Sequence, residues 1–245
     1  MTVATEAAEE ARATMLRLFP EGFEEVTQPD ALELAAYTEA EGEERLRVLF
    51  GTVSSTPVAA GWEDRWRSFH RPVRVGPLWV GPPWEAPPPE AVPIVVDPGR
   101  AFGTGAHPTT RLTLELLLGL EPGPLLDLGC GSGVLAIAGA KLGFAPVSAV
   151  DVDPVAVEAT LANAERNGVD VDASVADVVT ESLPAAAVAV ANMSLELVEA
   201  VAPRLQARAV VTSGYLGSQQ PSLTGLEHVE RRTEIGWAAD LYRAK

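Results

Sequence analysis

Residues 125–137 read LLDLGCGSGVLAI, and this stretch decides the fold. Its first part, Leu125 to Leu128, is a short apolar run of the kind that a parallel sheet buries on both faces. Its second part begins at Val134, is apolar and rich in alanine, and has the length of a helix. Between them, glycines at positions 129, 131 and 133 permit positive φ and leave no Cβ in the way of a ligand. The pattern predicts a strand, a turn and a helix that form a nucleotide-type cofactor site, because the amides at a helix start point at the ligand.

From Ile94 onward, strand patterns alternate with helix patterns, which is typical of an open parallel sheet. Helices are predicted over residues 109–120, 133–142 and 154–167, and strands over 125–128, 147–150, 170–175, 187–191 and 209–212. The tail, residues 227–233 and 237–243, alternates like two final strands with no helical pattern between them. The sequence therefore predicts an α/β fold with a doubly wound sheet of seven strands, closed by a hairpin.

The first 60 residues predict a smaller α+β domain. Strands are expected over residues 2–5, 23–27, 32–37 and 52–58, and helices over 7–19 and 43–50. The order βαββαβ is that of a ferredoxin-like domain.

Residues 61–93 are predicted to connect the two domains. Trp62, Trp66 and Phe69 lie on one face of a predicted helix over 61–72, which favours a connector helix packed on a neighbour over a nucleic-acid or peptide site. Residues 77–93 contain seven prolines, which predicts a semi-rigid polyproline spacer. We therefore expect a first domain at 1–60, a connector and linker at 61–93, and a second domain at 94–245.

The chain is strongly acidic, with a formal net charge of −16. Residues 1–60 hold four arginines and twelve acidic residues, a net of −8, so half of the charge lies in a quarter of the chain. Such a field repels bare nucleic acid, and it favours basic partners or serves solubility alone. No direct binding of nucleic acid is expected.

The composition also indicates the cellular compartment of the protein. No apolar run approaches the ~20 residues of a membrane helix, and the first residues lack the pattern of a signal peptide. Cys130 is the single cysteine, so no internal disulfide is possible and a cytoplasmic location is expected. The sequence does not give the oligomeric state, and a monomer is assumed. His70, His107 and His228 lie far apart and show no zinc-site spacing, so no metal is expected.

Polar residues at the predicted strand ends point to the cofactor. In an open α/β sheet the ligand lies at the carboxyl ends of the strands, where Asp127, Asp151, Asp177 and Asn192 are predicted to meet the glycine turn. Asp151 follows Gly129 by 22 residues and ends the second strand, where a carboxylate accepts hydrogen bonds from ribose hydroxyls.

The glycine spacing then chooses between cofactors. A dinucleotide fingerprint has its last glycine one position later than Gly133, where this chain has Val134. The tighter turn, which includes Gly131 and follows Asp127, suits a ligand without a pyrophosphate, such as S-adenosylmethionine. That ligand needs a carboxylate near its amino group. Asp177 is placed to contact the adenine amino group, or else it is a plain helix cap.

Two blocks carry a family resemblance. Residues 97–110 read DPGRAFGTGAHPTT, and residues 127–138 read DLGCGSGVLAIA. Together with DVDPVAVE at 151–158 and NAERNG at 163–168, they resemble the PrmA family, the methyltransferases of ribosomal protein L-eleven. The match is clear over about residues 61–245, and over the first 60 it is a match of pattern only.

The resemblance implies a Rossmann-like class I methyltransferase with an N-terminal domain that recognises the ribosomal protein. Carried over by position, it implies that four residues contact S-adenosylmethionine and that three more line the pocket. The contacts are Thr110, Gly129, Asp151 and Asn192, and the pocket residues are Phe102, Gly103 and Thr104. The expected activity is N-methylation of lysine or N-terminal amines of the basic ribosomal protein.

The expected catalysis rests on orientation, because no His–carboxylate or Ser–His pair stands out as a base. Asn192 is expected to hold the incoming amine through its side-chain carbonyl, with His107 as a weaker candidate. Asn192 is followed by Met193-Ser194, which lacks the prolines and aromatic of the Asn-Pro-Pro-Tyr motif of adenine- and glutamine-directed methyltransferases. Two alternatives stay open: a methyltransferase of another protein or a small amine, and a non-catalytic binding module that retains the fold.

Overall fold

The computed structural model describes residues 2–4, 11, 14–15, 18, 24–28, 31–36, 38, 40–51, 53–55, 71–97 and 105–245. The chain divides into two compact units, Met1–Glu63 and Asp64–Lys245. Each unit is described by itself.

The first unit contains a small antiparallel sheet in the order β1-β3-β2. Its strands are β1 (Thr2–Ala4), β2 (Glu24–Gln28) and β3 (Ala31–Ala35), and helix α1 spans Ala40–Phe50. Residues 11, 14, 15 and 18 are also helical. Leu32 and Leu34 alternate with exposed neighbours on β3, so one face of the sheet is buried against Met15 and Leu46.

The elements of the predicted ferredoxin-like domain are found in part. Three strands and the second helix lie close to their predicted positions. The fourth predicted strand is wrong over residues 53–55, which are in no strand, and the remainder of it lies outside the described residues. The ferredoxin-like fold of this unit stays a prediction.

The second unit begins with a three-stranded sheet in the order β4-β5-β6. Its strands are β4 (Val73–Val75), β5 (Leu78–Gly81) and β6 (Val92–Val95). The predicted polyproline spacer is therefore wrong at both ends of residues 77–93. Leu78 and Val80 are fully buried in the same core as the main sheet, and strand β5 contains no proline. Burial of these apolar side chains therefore favours a paired strand over a solvated polyproline segment. The predicted connector helix with Trp62, Trp66 and Phe69 lies outside the described residues.

The remainder of the second unit is built on a seven-stranded sheet in the order β12-β13-β11-β10-β7-β8-β9. The strands are β7 (Leu125–Leu128), β8 (Val147–Asp151), β9 (Asp172–Val175), β10 (Val188–Asn192), β11 (Ala209–Leu216), β12 (Leu226–Glu234) and β13 (Trp237–Ala244). Strands β7 to β11 are parallel to one another, and β13 runs antiparallel between β11 and β12. The predicted sheet, including its closing hairpin, is confirmed.

Helices cover both faces of this sheet. They are α2 (Pro108–Leu117), α3 (Val134–Lys141), α4 (Pro154–Asn167) and α5 (Leu195–Val201). Leu125 joins the core that contains α2 and α3, whereas its neighbour Leu126 joins the core that contains α5. Because successive side chains of a strand point to opposite faces, the apolar run fills two cores at once. Among the described residues, no helix is long and apolar enough to cross a membrane.

Helix α4 shows how local sequence sets these boundaries. The Asp153 carboxylate accepts a hydrogen bond from Val155 N at 2.9 Å and caps the first turn, and Pro154 begins the helix. Gly168 ends it with φ 63°, the left-handed conformation that glycine adopts most easily. The predicted cap, start and end of this helix are confirmed.

Candidate functional site

Four neighbouring strands bring the predicted polar residues to one edge of the sheet. The strands β9, β8, β7 and β10 are adjacent and parallel, so their carboxyl ends lie side by side. Asp127 lies on β7, Asp151 and Asn192 end β8 and β10, and Asp177 follows β9. This convergence is the one that the sequence predicts, while the roles of these side chains toward a ligand stay predictions.

The glycine turn leaves β7 at this edge in a conformation that requires glycine. Gly129, Gly131 and Gly133 have φ of 70°, 54° and 80°. A Cβ on Gly133 would lie 2.9 Å from Thr160, and one on Gly129 would lie 3.0 Å from the side chain of Met193. Any larger residue would therefore strain the backbone and also displace a neighbour.

Asp151 holds the turn in place from the adjacent strand. Its Oδ2 accepts a hydrogen bond from Gly131 N at 2.9 Å, and its Oδ1 accepts one from Asp153 N at 3.0 Å. Each carboxylate oxygen can accept more than one hydrogen bond. The side chain is therefore oriented by the backbone and keeps capacity for ligand hydroxyls.

Asp127 is a buried carboxyl with one oxygen unsatisfied. Its side chain is 1% exposed, and Oδ2 accepts a hydrogen bond from Ala136 N at 3.0 Å. Within the described part of the chain, Oδ1 has no hydrogen-bond partner. Burial raises the pKa of Asp127 to about 7, and repulsion from the Asp151 charge also raises it. The hydrogen bond from Ala136 N lowers the pKa but does not cancel these effects. A cationic ligand at this edge would favour the ionised form.

We expect Asp127→Asn to flatten the pH dependence of the free energy of unfolding. The folded pKa lies above the ordinary value of 3.8, so protonated Asp127 stabilises the fold fully below that value, and this contribution is lost as pH rises through about 7. The ligand-free parent should therefore lose about 2–3 kcal/mol from this group between about pH 5 and pH 8. Urea unfolding of both proteins measures the difference, and parallel pH curves would contradict the assignment.

The side chains of Asn192 and Thr110, two of the predicted site residues, lie close to each other. Thr110 is buried on α2, and the Asn192 Nδ2 donates to its Oγ1 at 3.5 Å, a long contact. The position of Asn192 is fixed from β11, because Met193 N donates to Ser213 O at 3.0 Å. With Nδ2 turned toward Thr110, the carbonyl Oδ1 is the group on this side chain that can accept from an incoming amine.

His107 caps helix α2 in the structure. Its Nδ1 accepts from Thr109 N at 3.3 Å and lies 2.7 Å from the Thr109 hydroxyl. Its ring packs edge-on against Trp237, with the centroids 4.8 Å apart. Burial and then the nearby Arg111 charge lower the pKa of His107, so the ring is neutral at pH 7. The catalytic role expected for His107 stays a prediction, next to this observed capping role.

Asp177 also has a local role. Its Oδ1 accepts from Val179 N at 2.8 Å, and this bond, followed by one from the Thr180 side chain, lowers the pKa of Asp177. The predicted helix cap is wrong, because residues 178–180 form a turn and no helix begins there, so Asp177 caps a turn. Its contact with adenine stays a prediction. Phe102, Gly103 and Thr104 lie outside the described residues.

Two asparagines on α4, to which the sequence assigned no role, hold the surroundings of the glycine turn. Asn163 is 2% exposed, donates to Ser132 O at 2.9 Å and accepts from Asp97 N at 3.1 Å. Asn167 makes two hydrogen bonds to the backbone of Val95, at 2.9 and 2.7 Å. The sequence feature that could have revealed them is their spacing: two asparagines four residues apart on a helix lie on the same side of it.

The second set that the sequence did not reveal is a buried polar cluster around Asp240. This carboxylate is 0% exposed and accepts hydrogen bonds from Arg231 (2.8 and 2.9 Å), His228 (2.7 Å) and Tyr215 (2.8 Å). Burial acts to raise the pKa of Asp240, but the donors Arg231, Tyr215 and His228 outweigh it and lower the pKa. Arg231 also donates to the carbonyls of residues 217 and 219, so the cluster ties the loop after β11 to the sheet.

The sequence is similar to a family of known proteins. A family model described as Ribosomal protein L11 methyltransferase (PrmA) matches residues 9–238. The ribosomal protein L11 methyltransferase of Citrifermentans bemidjiense is 38% identical over 206 residues, which cover 74% of this chain and 66% of that protein. The ribosomal protein L11 methyltransferase of Symbiobacterium thermophilum is 41% identical over 199 residues, which cover 74% of this chain and 64% of that protein. The chain therefore spans about two thirds of the length of these curated relatives.

A solved structure supports the same assignment. The ribosomal protein L11 methylase of Lactobacillus delbrueckii subsp. bulgaricus superposes with a TM-score of 0.65 and 26% identity, over 72% of this chain and all of that one. The fold is thus that of the class I methyltransferases, as predicted. Because the family model matches nearly the whole sequence, the chain belongs to the ribosomal protein L11 methyltransferase (PrmA) family.

Proposed function

We propose that the protein transfers methyl groups from S-adenosylmethionine to lysine or N-terminal amines of ribosomal protein L11. The observation that carries this proposal is the meeting of Asp151, Asn192 and Thr110 beside the glycine turn, in a chain of this family. Relatives named for the same substrate support it. A cytoplasmic monomer without a metal is part of the proposal.

The residues at the sheet edge fit the cofactor. Asp151 would accept hydrogen bonds from the ribose hydroxyls, and the glycine turn offers backbone without side chains to the body of the ligand. The buried Oδ1 of Asp127, without a partner among the described residues, suits a positively charged amino group. Thr110 and Asp177 complete the proposed contacts, with Phe102, Gly103 and Thr104 lining the pocket. When bound, the cofactor supplies an activated methyl group on a sulfonium.

The chain's own contribution is to orient a neutral amine. Deprotonating a free lysine at pH 7 costs about 4.6 kcal/mol, and a desolvated pocket reduces this cost because it disfavours the charged form. Asn192 Oδ1 would accept a hydrogen bond from the amine and direct its lone pair toward the methyl group, while water takes the proton. Alignment of two reactants contributes up to ~7–11 kcal/mol. The neutral, capping His107 has no acid–base step in this scheme.

The acidic first unit is proposed to bind the substrate protein. Residues 1–60 carry half of the net negative charge, which suits a basic ribosomal protein and raises its rate of association. The unit would then act as a recognition domain and the second unit as the catalytic domain.

Incubation with labelled S-adenosylmethionine and total ribosomal protein tests the proposal. We expect label in a single band, L11, and mass spectrometry should place it on amines. Asn192→Ala should lower kcat by about 10²-fold or more, because the amine loses its orienting acceptor while the cofactor keeps Asp151. Label in another protein, or transfer only to small amines, would overturn the substrate assignment. Cofactor binding without any transfer would instead favour a binding module.

A further inference from the structure

The turn between β12 and β13 holds an exposed side chain in a strained conformation. Ile235 has φ 46° and is 79% exposed, and Gly236 follows with φ 79°. A two-residue turn of this kind usually carries asparagine and glycine, because both tolerate positive φ. Ile235 is β-branched and lies outside the core, so burial does not offset the conformational cost. The fold alone therefore gives no reason for isoleucine at this position.

The turn lies beyond the sheet edge at which Asn192 ends β10. Asn192 pairs with Ser213, and β11 continues for three more residues to Leu216, roughly 10 Å at the usual rise per residue. Leu216 is 48% exposed and pairs with Trp237, the first residue of β13. The end of β11 and the hairpin thus form a wall next to Asn192, with Leu216 and Ile235 exposed at its top.

The wall is anchored to the helix that carries Thr110. Arg111 donates to both carboxylate oxygens of Glu234, at 3.0 and 2.7 Å, and the ring of Trp237 packs against His107. Such a bidentate pair fixes direction as well as distance. The position of the hairpin tip relative to the candidate site is therefore set by α2.

We propose that the hairpin tip, Ile235 with Leu216, is a contact surface for the protein that carries the acceptor amine. This inference rests on the proposed function. A macromolecule that brings an amine to Asn192 from the side of β11 covers the top of the wall, whereas a small amine reaches the edge without touching it. Covering the two side chains removes apolar surface from water, and the anchored hairpin loses little conformational freedom on binding.

Steady-state kinetics of the full chain with purified ribosomal protein L11 test this surface. Ile235→Asn should raise the KM for L11 about tenfold and leave kcat and the cofactor Kd within about twofold. It should also raise the thermal midpoint, since asparagine suits the turn. Ile235→Leu keeps the apolar contact and should retain the parental KM. Val229→Asn is the matched control, because Val229 is 49% exposed on the same hairpin but far from its tip.

Each outcome is decisive. A parental KM in Ile235→Asn, or an equal rise in Val229→Asn, would overturn this proposal while the proposed function stands. A parent protein that does not methylate L11 would overturn the proposed function and this inference with it.

Discussion

Asp151→Ala is expected to weaken S-adenosylmethionine binding by about 10²- to 10⁴-fold. The carboxylate would hold two ribose hydroxyls, and a hydrogen bond to a charged group contributes about 1.5–3 kcal/mol. The same oxygens also accept from Gly131 N and Asp153 N, so the turn loses support when they are removed. Isothermal titration with S-adenosylmethionine and with S-adenosylhomocysteine measures the loss.

Asp172→Ala is the control for charge. Asp172 is exposed and begins β9, so it lies at the opposite edge of the same sheet. We expect its Kd for the cofactor to stay within about twofold of the parent, since exposed charges more than a Debye length away are screened. An Asp151→Ala protein that folds and binds the cofactor within about threefold of the parent would refute the ribose contact.

The second large effect is expected on stability, at the buried cluster around Asp240. Asp240→Ala should lower the free energy of unfolding by about 3–5 kcal/mol, because it leaves the partly buried Arg231 guanidinium without its carboxylate and the buried Tyr215 hydroxyl without one acceptor. The thermal midpoint should fall by about 6–20 °C. The Asp240 carboxylate stabilises above its ordinary pKa of 3.8, and this contribution is lost as pH falls through its lowered folded pKa.

Two further variants separate this cluster from ordinary ion pairs. Glu230→Ala removes the exposed pair between Glu230 and Arg232, and should change stability by no more than about 1 kcal/mol. Arg231→Met combined with Asp240→Leu removes both charges, and should recover more than half of the loss. If the single variant Asp240→Ala loses no more than Glu230→Ala does, the cluster does not stabilise the fold.

The parts of the fold that could be predicted are those that a short stretch of backbone specifies. The turn at Gly129 and Gly133 needs positive φ, which restricts the residue type and so marks the place. The Asp153-Pro154 start of α4 is equally local. Asp151 could be placed because a buried strand of known direction ends there. Thr110 was named as a site residue only by the family resemblance, and its contact with Asn192 was not predicted.

The features that the sequence analysis missed have a different physical origin, because each of them depends on residues that are far apart in the sequence. Pro93 lies in β6, a strand position that proline usually disfavours, but β6 is the edge of its small sheet and needs no second ladder of hydrogen bonds. The Asp240 cluster joins three strands, so its members meet only once the register of β11, β12 and β13 is known. Neither feature leaves a periodic pattern in the sequence.

The interior position of β13 in the sheet has a consequence for synthesis. Since β13 lies between β11 and β12, the sheet is incomplete until residues 237–244 have left the ribosome. Until then the edge of β11 is unpaired and apolar, and Tyr215 and Arg231 lack the carboxylate of Asp240. A nascent chain that pauses before Trp237 therefore exposes the unpaired edge of β11, which favours aggregation.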